Sequence, residues 1–194
     1  MAARPRGYGM TAEISRKIAG KYDEDLEQQA RHWIEDVTGE SLGEGDAPLG
    51  LDKFQAVLKD GRHLCNLINA LRPGSVKKIN AGSMAFKLME NINQFLTGCE
   101  NFGVQKQDLF QTVDLYEKQN MVAVVNAIHA LGRAAQKNGY NGPVLGPREA
   151  AANKREFSEE QLQAGKGVIG LQMGTNKGAS QAGQNFGKQR MIID

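Results

Sequence analysis

The stretch DGRHLCNLINALRPG, residues 60–74, decides the fold class of this chain. Its leucine and isoleucine side chains recur at intervals of three and four residues, which places them on one face of a helix. These residues are Leu64, Leu67, Ile68 and Leu71. Proline and glycine at positions 73 and 74 end the helix, because proline cannot continue it and glycine accepts the backbone conformations of helix ends. The stretch therefore predicts an amphipathic helix that packs on a core.

The same helical period recurs before this stretch. The apolar residues there are Leu26, Ala30, Trp33, Ile34 and Val37. Asp23 and Asp25 lie at the predicted start. Aspartate caps helix N-termini, and its negative charge is stabilised by the positive end of the helix dipole. Gly39 marks the end of the helix, and the acidic, glycine-rich residues 40–50 are predicted to form a loop.

Two more long helices follow. The first spans about residues 83–99 and ends before Gly103, with apolar positions at Ala85, Leu88, Met89, Ile92, Phe95, Leu96 and Cys99. The second begins after Asn120 and ends before Gly139, with apolar positions at Met121, Val124, Val125, Ile128, Leu131 and Ala135. A shorter helical piece is predicted around Leu109, Phe110 and Val113. Four long amphipathic helices with short connections predict an all-α domain over residues 22–137, preceded by an N-terminal extension over residues 1–21.

The amino-acid composition changes after this domain. Residues 138–167 are predicted to be a linker, because prolines and glycines cluster at 141–147. Within it, Ser158-Glu-Glu-Gln161 has the spacing of a capping box, which predicts a short helix. The tail beyond it is rich in glycine and has no lasting period, so it cannot build a core of its own. We expect it to be flexible or to fold against a partner.

Charge is distributed unevenly along the chain. The net charge is only +2, which does not indicate nucleic acid as a partner. Residues 161–193, however, contain no Asp or Glu and carry four cations, Lys166, Lys177, Lys188 and Arg190. The C-terminal segment is therefore a cationic strip on a nearly neutral protein.

The cysteines and the hydropathy pattern indicate a reducing, cytosolic setting. Cys65 and Cys99 both lie within helical apolar patterns, which predicts two buried, reduced thiols. The N-terminus has no apolar run that would form a secretory signal. No stretch approaches the roughly 18 apolar residues that a membrane span needs, so no membrane partner is expected.

Two glycine motifs resemble nucleotide-binding loops without meeting their requirements. GKGVIG at residues 165–170 has dinucleotide-loop spacing, but a glutamate-rich helical stretch precedes it where the motif needs a strand. Gly187-Lys188 is followed by Gln189, so the hydroxyl that a P-loop uses for magnesium is missing. No cofactor is therefore predicted.

Metal and catalytic sites are not indicated either. Asp46 and Asp52 lie close together, but proline and glycine interrupt the alternating oxygen ligands of a calcium loop. His32, His63 and His129 have no ligand spacing and are expected to pack or to face water. We predict that the chain is not an enzyme, although triads can assemble from distant residues.

The helical domain resembles a calponin-homology domain. The residues that carry the resemblance are Trp33 and the stretches at 60–74, 86–104 (FKLMENINQFLTGCENFGV) and 114–133 (DLYEKQNMVAVVNAIHALGR). In the tail, VIGLQMGTNKGASQAG at 168–183 resembles the calponin-like repeat, which we extend over residues 168–193. One domain with a single repeat is similar to transgelins and to invertebrate muscle proteins of that type. The sequence departs from the family after the repeat motif, where residues 184–187 read QNFG.

This resemblance implies an actin-filament-binding protein of the cytoplasm and cytoskeleton, acting as a monomer and associating with, cross-linking or stabilising filaments. Cationic, apolar and glycine residues of the tail are the expected contacts: Lys154, Arg155, Lys166, Ile169, Gly170, Leu171, Met173, Gly174, Asn176, Lys177, Gly178, Ser180, Lys188 and Arg190. The matching serine of calponin-like proteins is phosphorylated, so Ser180 is also a predicted phosphorylation site. The alternative function is a signalling adaptor whose helical domain binds another cytoskeletal or signalling protein, with actin contact secondary.

Overall fold

The computed structural model describes residues 10–150 and 154–166, and within these ranges all regular structure is helical. The α-helices are α1 (Met10–Ala19), α2 (Glu24–Thr38), α3 (Leu51–Leu58), α4 (Arg62–Leu71), α5 (Ala85–Phe102), α6 (Thr112–Tyr116), α7 (Met121–Lys137) and α8 (Glu159–Lys166). A 3-10 helix at Lys106–Asp108 precedes α6. The predicted all-α class is confirmed, and the four predicted long helices correspond to α2, α4, α5 and α7.

The ends of these helices follow the predicted capping chemistry. The Asp23 side chain accepts hydrogen bonds from the first amides of α2, and the Asn120 side chain accepts one at the start of α7. Gly39 and Gly103 end α2 and α5 in the left-handed conformation, with φ of 70° and 113°. Local chemistry therefore sets both ends of α2, the start of α7 and the end of α5, whereas α4 and α5 begin without a capping side chain.

The helices enclose one hydrophobic core. Trp33 is 2% exposed, and Ile34, Phe54, Phe95 and Ile128 are fully buried. Helix α4 packs against α2 and α5, while α7 packs against α2. Burial of the single tryptophan confirms its predicted role as a core anchor.

Two helices have no counterpart in the sequence analysis. Helix α1 lies in the N-terminal extension and packs against α7. Helix α3 has only eight residues and follows a glycine-rich loop, so its periodic pattern is too short to stand out. It nevertheless contributes Phe54 and Leu58, both fully buried, to the core.

Four residues of the predicted apolar faces lie outside the core: Leu26 of α2, and the half-buried Ala85, Leu88 and Met89 at the start of α5. Leu26 is 36% exposed because it lies in the first turn of α2, before the helix is covered by its neighbours. Val124 and Val125 are buried in α7, where the helical period outweighs the preference of valine for strands. Tertiary packing therefore corrects the predicted core only at its edge.

The segment after α7 closes the core. Leu145 is 3% exposed, and a Cβ added at Gly132 of α7 would lie 2.6 Å from the Leu145 Cβ. The Trp33 indole Nε1 donates a hydrogen bond to the Pro143 carbonyl at 2.8 Å. Part of the segment predicted as a linker is thus packed on the helical domain, whose compact unit extends to Glu149.

Candidate functional site

Residues 154–166, which include α8, contain three of the predicted cationic contacts. Lys154 and Arg155 lie in the coil before α8, and Lys166 is the last residue of α8. All side chains of residues 154–164 are exposed. The first two predicted cationic contacts are therefore accessible to a partner.

Most of the predicted contact residues lie outside the described residues. These are Ile169, Gly170, Leu171, Met173, Gly174, Asn176, Lys177, Gly178, Ser180, Lys188 and Arg190.

Helix α8 is stabilised by contacts within its own first turn. The Gln161 amide donates to Ser158 Oγ at 3.3 Å, and the Ser158 amide donates to Gln161 Oε1 at 3.0 Å. These reciprocal bonds confirm the predicted capping box. Phe157, in the coil before α8, is 58% exposed, and Leu162 within α8 is 53% exposed, so this segment carries apolar side chains at its surface.

In the helical domain, the buried guanidinium of Arg31 holds the loop that follows α2. Arg31 is 1% exposed. Its Nη2 donates to the carbonyls of Gly43 and Gly45 at 2.9 and 2.7 Å, and its Nη1 donates to that of Ala47 at 2.8 Å. Its Nε donates to Glu35 Oε1 at 3.0 Å. One cation therefore orders the acidic loop over residues 39–50.

A buried carboxylate one turn earlier holds the other end of this loop. Glu27 is fully buried, and its Oε1 accepts bonds from the amides of Leu49 and Gly50 at 2.9 and 3.1 Å. Its Oε2 accepts a bond from the Tyr22 hydroxyl at 2.7 Å, and burial together with this bond raises the pKa of Tyr22. Both oxygens of the Glu27 carboxylate are hydrogen-bonded to backbone amides or to Tyr22. The carboxylate therefore stabilises the fold and is not available as a catalytic group.

Sequence reasoning missed this pair of buried charges. Glu27 and Arg31 are four residues apart and each directly follows a residue of the apolar stripe of α2. Opposite charges four residues apart, next to the apolar face of a helix, could have indicated this buried pair. Exposed ion pairs have the same spacing, so the sequence alone does not distinguish the two.

The three histidines bind separate partners. His32 Nε2 lies 2.9 Å from Asp46 Oδ1, and His63 Nδ1 lies 2.9 Å from Glu40 Oε2. His129 Nε2 lies 3.0 Å from the Leu26 carbonyl oxygen. Across residues 10–150 and 154–166, no group of three or more His, Cys, Asp or Glu side chains could hold a metal ion.

Both cysteines are buried free thiols, as predicted. The Cys65 thiol donates to the Asn91 carbonyl at 3.3 Å. Burial is the main cause that raises the pKa of Cys65 to about 12, and it also raises the pKa of Cys99. Because the thiolate is the reactive form, these thiols are poor nucleophiles near neutral pH.

Comparison with protein families gives two matches along the chain. Residues 24–137 match the Calponin homology (CH) domain, and residues 169–192 match the Calponin family repeat. The second match contains every predicted contact residue from Ile169 to Arg190. None of the described helices is long and apolar enough to cross a membrane.

Similar curated proteins span the full architecture. Myophilin from Echinococcus granulosus is 48% identical over 196 residues, which is 100% of both chains. Muscle-specific protein 20 from Drosophila melanogaster is 47% identical over 181 residues, covering 93% of this chain and 95% of that protein. Among solved structures, the calponin-homology domain of Rng2 from Schizosaccharomyces pombe has a TM-score of 0.53 at 24% identity, covering 79% of this chain and 87% of that one. The structural likeness shows the fold alone.

Proposed function

This chain belongs to the transgelin–calponin family, and from that premise we propose that it binds actin filaments through its C-terminal calponin family repeat. A calponin-homology domain with one such repeat supports a cytoskeletal, actin-associated role. The observation that carries the finer proposal is the overlap of the repeat, at residues 169–192, with the acid-free cationic segment at 161–193. Calponin and transgelin-type proteins are structural rather than enzymatic, and we propose no catalytic function.

The proposed contact combines charge with apolar side chains. Lys166, Lys177, Lys188 and Arg190 would meet carboxylates of the filament, and the exposed pair Lys154 and Arg155 would extend this cationic surface. Ile169, Leu171 and Met173 would supply apolar contact, while the glycines allow close approach of the backbone. Ordering a segment on binding costs entropy, so one repeat should bind with modest affinity.

Cross-linking or stabilisation of filaments is a further part of the proposal. Cross-linking requires each chain, or each assembly of chains, to contact two filaments. A monomer with one repeat stabilises filaments without bundling them, so light scattering of filament mixtures distinguishes the two outcomes.

Cosedimentation of a shortened chain tests the role of the repeat. The chain should end at Ala150, because an end at Gly142 would remove Leu145 from the core and the Pro143 carbonyl from Trp33. We expect the shortened chain to melt like the full chain and to lose most filament binding. Equal cosedimentation of the two chains would refute the proposal and favour the adaptor function of the helical domain.

A pair of charge variants tests the mechanism. Replacing Lys166, Lys177 and Lys188 with glutamine removes three charges from the tail. Replacing Lys77, Lys78 and Lys87 with glutamine removes three charges from the helical domain and serves as the matched control.

We expect only the tail variant to weaken filament binding. Wild-type binding should also weaken with salt, as the Debye length falls from about 10 Å at 0.1 M to about 3 Å at 1 M. Affinity that does not change with salt would show that apolar contacts dominate.

Phosphorylation of Ser180 is a proposed regulator of this contact. A phosphate adds about −1.5 to −2 charges at pH 7, which would cancel nearly half of the four positive charges of the segment. Phosphorylated protein should therefore leave filaments faster than the Ser180→Ala variant, with Ser180→Asp between them. Identical binding of the phosphorylated protein and the alanine variant would exclude the switch.

A further inference from the structure

The start of α5 presents two large apolar side chains to solvent. Phe86 is 72% exposed and Met84 is 59% exposed. Phe86 is the most exposed large hydrophobic residue in the part of the chain that the structure describes. A single exposed apolar side chain needs no explanation, but two neighbouring ones at such exposure indicate an interaction surface.

Three lysines lie within ten residues of these two residues along the chain. Lys77 and Lys78 are exposed in the preceding loop. Lys87 lies beside the same loop, since a Cβ added at Gly82 would be 3.8 Å from its Nζ. Residues 61–99 contain five Lys or Arg residues and one acidic residue, Glu90, whereas residues 23–60 contain three Lys or Arg and eleven acidic residues. The cationic character is thus a property of this part of the domain.

Buried and half-buried amide side chains hold the loop in place. Asn69 Nδ2 donates to the Val76 carbonyl at 3.0 Å, and the Val76 amide donates to Asn69 Oδ1 at 2.8 Å. The Asn80 amide donates to Oδ1 of the buried Asn91 at 2.9 Å. Lys77 and Lys78 lie between these two anchors. The side chain of Asn80 also donates to Glu90 Oε2 at 2.9 Å, which occupies an oxygen of the one nearby carboxylate.

We propose that Lys77, Lys78, Met84, Phe86 and Lys87, named here the α5 entry face, bind the surface of an anionic lipid bilayer. Lysines are attracted to anionic headgroups, and phenylalanine and methionine can enter the boundary between headgroups and acyl chains. The anchored loop presents Lys77 and Lys78 on a backbone that is already ordered. The sequence indicated no membrane partner because no segment can span a bilayer, but contact with the surface needs no span.

A lipid surface fits this face better than a protein partner does. A stable protein interface buries about 800 Å² on each partner and needs shape complementarity. The α5 entry face offers two apolar side chains within a group of lysines, a composition that a fluid anionic surface can accept without matching a shape. An acidic protein surface is therefore the alternative that the experiment must separate.

The test is sedimentation of the full chain with vesicles, without actin, at fixed ionic strength. Vesicles of phosphatidylcholine and phosphatidylserine are compared with vesicles of phosphatidylcholine alone. We expect binding only to the anionic vesicles. The Lys77→Gln/Lys78→Gln/Lys87→Gln variant should lose at least about tenfold in affinity, because each lysine near an anionic surface contributes about fivefold.

Two matched controls separate the α5 entry face from the tail. The Lys166→Gln/Lys177→Gln/Lys188→Gln variant removes the same charge and should lose much less vesicle binding. Phe86→Ala should weaken binding about tenfold, whereas Phe157→Ala, at an exposed phenylalanine of the other compact unit, should not. Unchanged melting curves would show that these surface variants remain folded.

Three results would overturn the proposal. The first is no binding to anionic vesicles by the wild-type chain. The second is an equal or larger loss in the tail variant, which would assign vesicle binding to the tail. The third is an unchanged affinity in Phe86→Ala combined with weaker filament cosedimentation, which would assign the face to an acidic protein surface. The first two results come from an assay without actin and leave the proposed filament function untouched, whereas the third would add the α5 entry face to the filament contact.

Discussion

The helical domain and the described C-terminal segment are stabilised over different distances along the chain. In the domain, Trp33 of α2 donates to Pro143, 110 residues later, and packs within a core drawn from all the long helices. In residues 154–164 every side chain is exposed, and α8 depends on bonds between Ser158 and Gln161. A substitution in the helical domain therefore affects the stability of the whole domain, whereas a substitution in residues 154–164 affects only nearby structure. The contrast explains how the C-terminal segment can change without unfolding the helical domain.

The largest expected effect comes from removing the core anchor. Trp33→Ala should lower the free energy of unfolding of the helical domain by about 3–5 kcal/mol, because it leaves a cavity and frees the Pro143 carbonyl. Thermal melting by circular dichroism measures the loss. Amide exchange within α8 should be unchanged. A melting temperature equal to that of the wild type would show that the helical domain does not depend on the long-range packing of Trp33.

Arg31→Met tests the buried cation that holds the loop after α2. Removing it takes the charged donor from three loop carbonyls and from the Glu35 carboxylate, although Gly43 and Glu35 each keep a second donor, so we expect a loss of about 3 kcal/mol. Exchange of the amides in residues 39–50 should accelerate. The control is Arg62→Met, at an exposed arginine, which should change stability by less than about 0.5 kcal/mol. Equal effects of the two substitutions would refute the role of the buried network.

The buried thiols predict a loss of stability at alkaline pH. Folded Cys65, with its pKa raised to about 12, stays protonated when the unfolded thiol ionises near its ordinary value of 9.0. The unfolded state then binds fewer protons, so the free energy of unfolding falls as pH rises above 9. The pKa of Cys99 is raised in the same direction.

By pH 10 the loss should be about 1 kcal/mol for each thiol. Urea unfolding at pH 8 and pH 10 measures it. The Cys65→Ala/Cys99→Ala variant should show a smaller difference between the two pH values. The same difference in both proteins would assign the pH effect to other groups, such as Tyr22.

The smallest expected effect concerns α8. Ser158→Ala removes the side-chain acceptor at its first turn, which costs about 1 kcal/mol of local helix stability. Amide exchange in residues 159–166 should accelerate, while the melting temperature of the helical domain stays constant. A shift in that melting temperature would show that the two regions are coupled.

Much of the functional assignment depended on local sequence. The capping box at Ser158 and the caps at Asp23 and Asn120 were predictable because each is complete within a few residues. The repeat at 169–192 and the cationic composition of the tail are likewise properties of contiguous sequence. The contact residues within the repeat stay predictions until binding is measured.

The sequence by itself determined the four long helices, the caps of α2 and the cationic repeat, because helical period, capping and charge are encoded by neighbouring residues. Only the tertiary structure decided that Glu27 and Arg31 are buried, that Leu145 completes the core, and that Phe86 faces solvent. These outcomes depend on which distant segments cover a given surface. A charged or apolar side chain has the same local pattern whether it is covered or exposed, and long-range packing makes the difference.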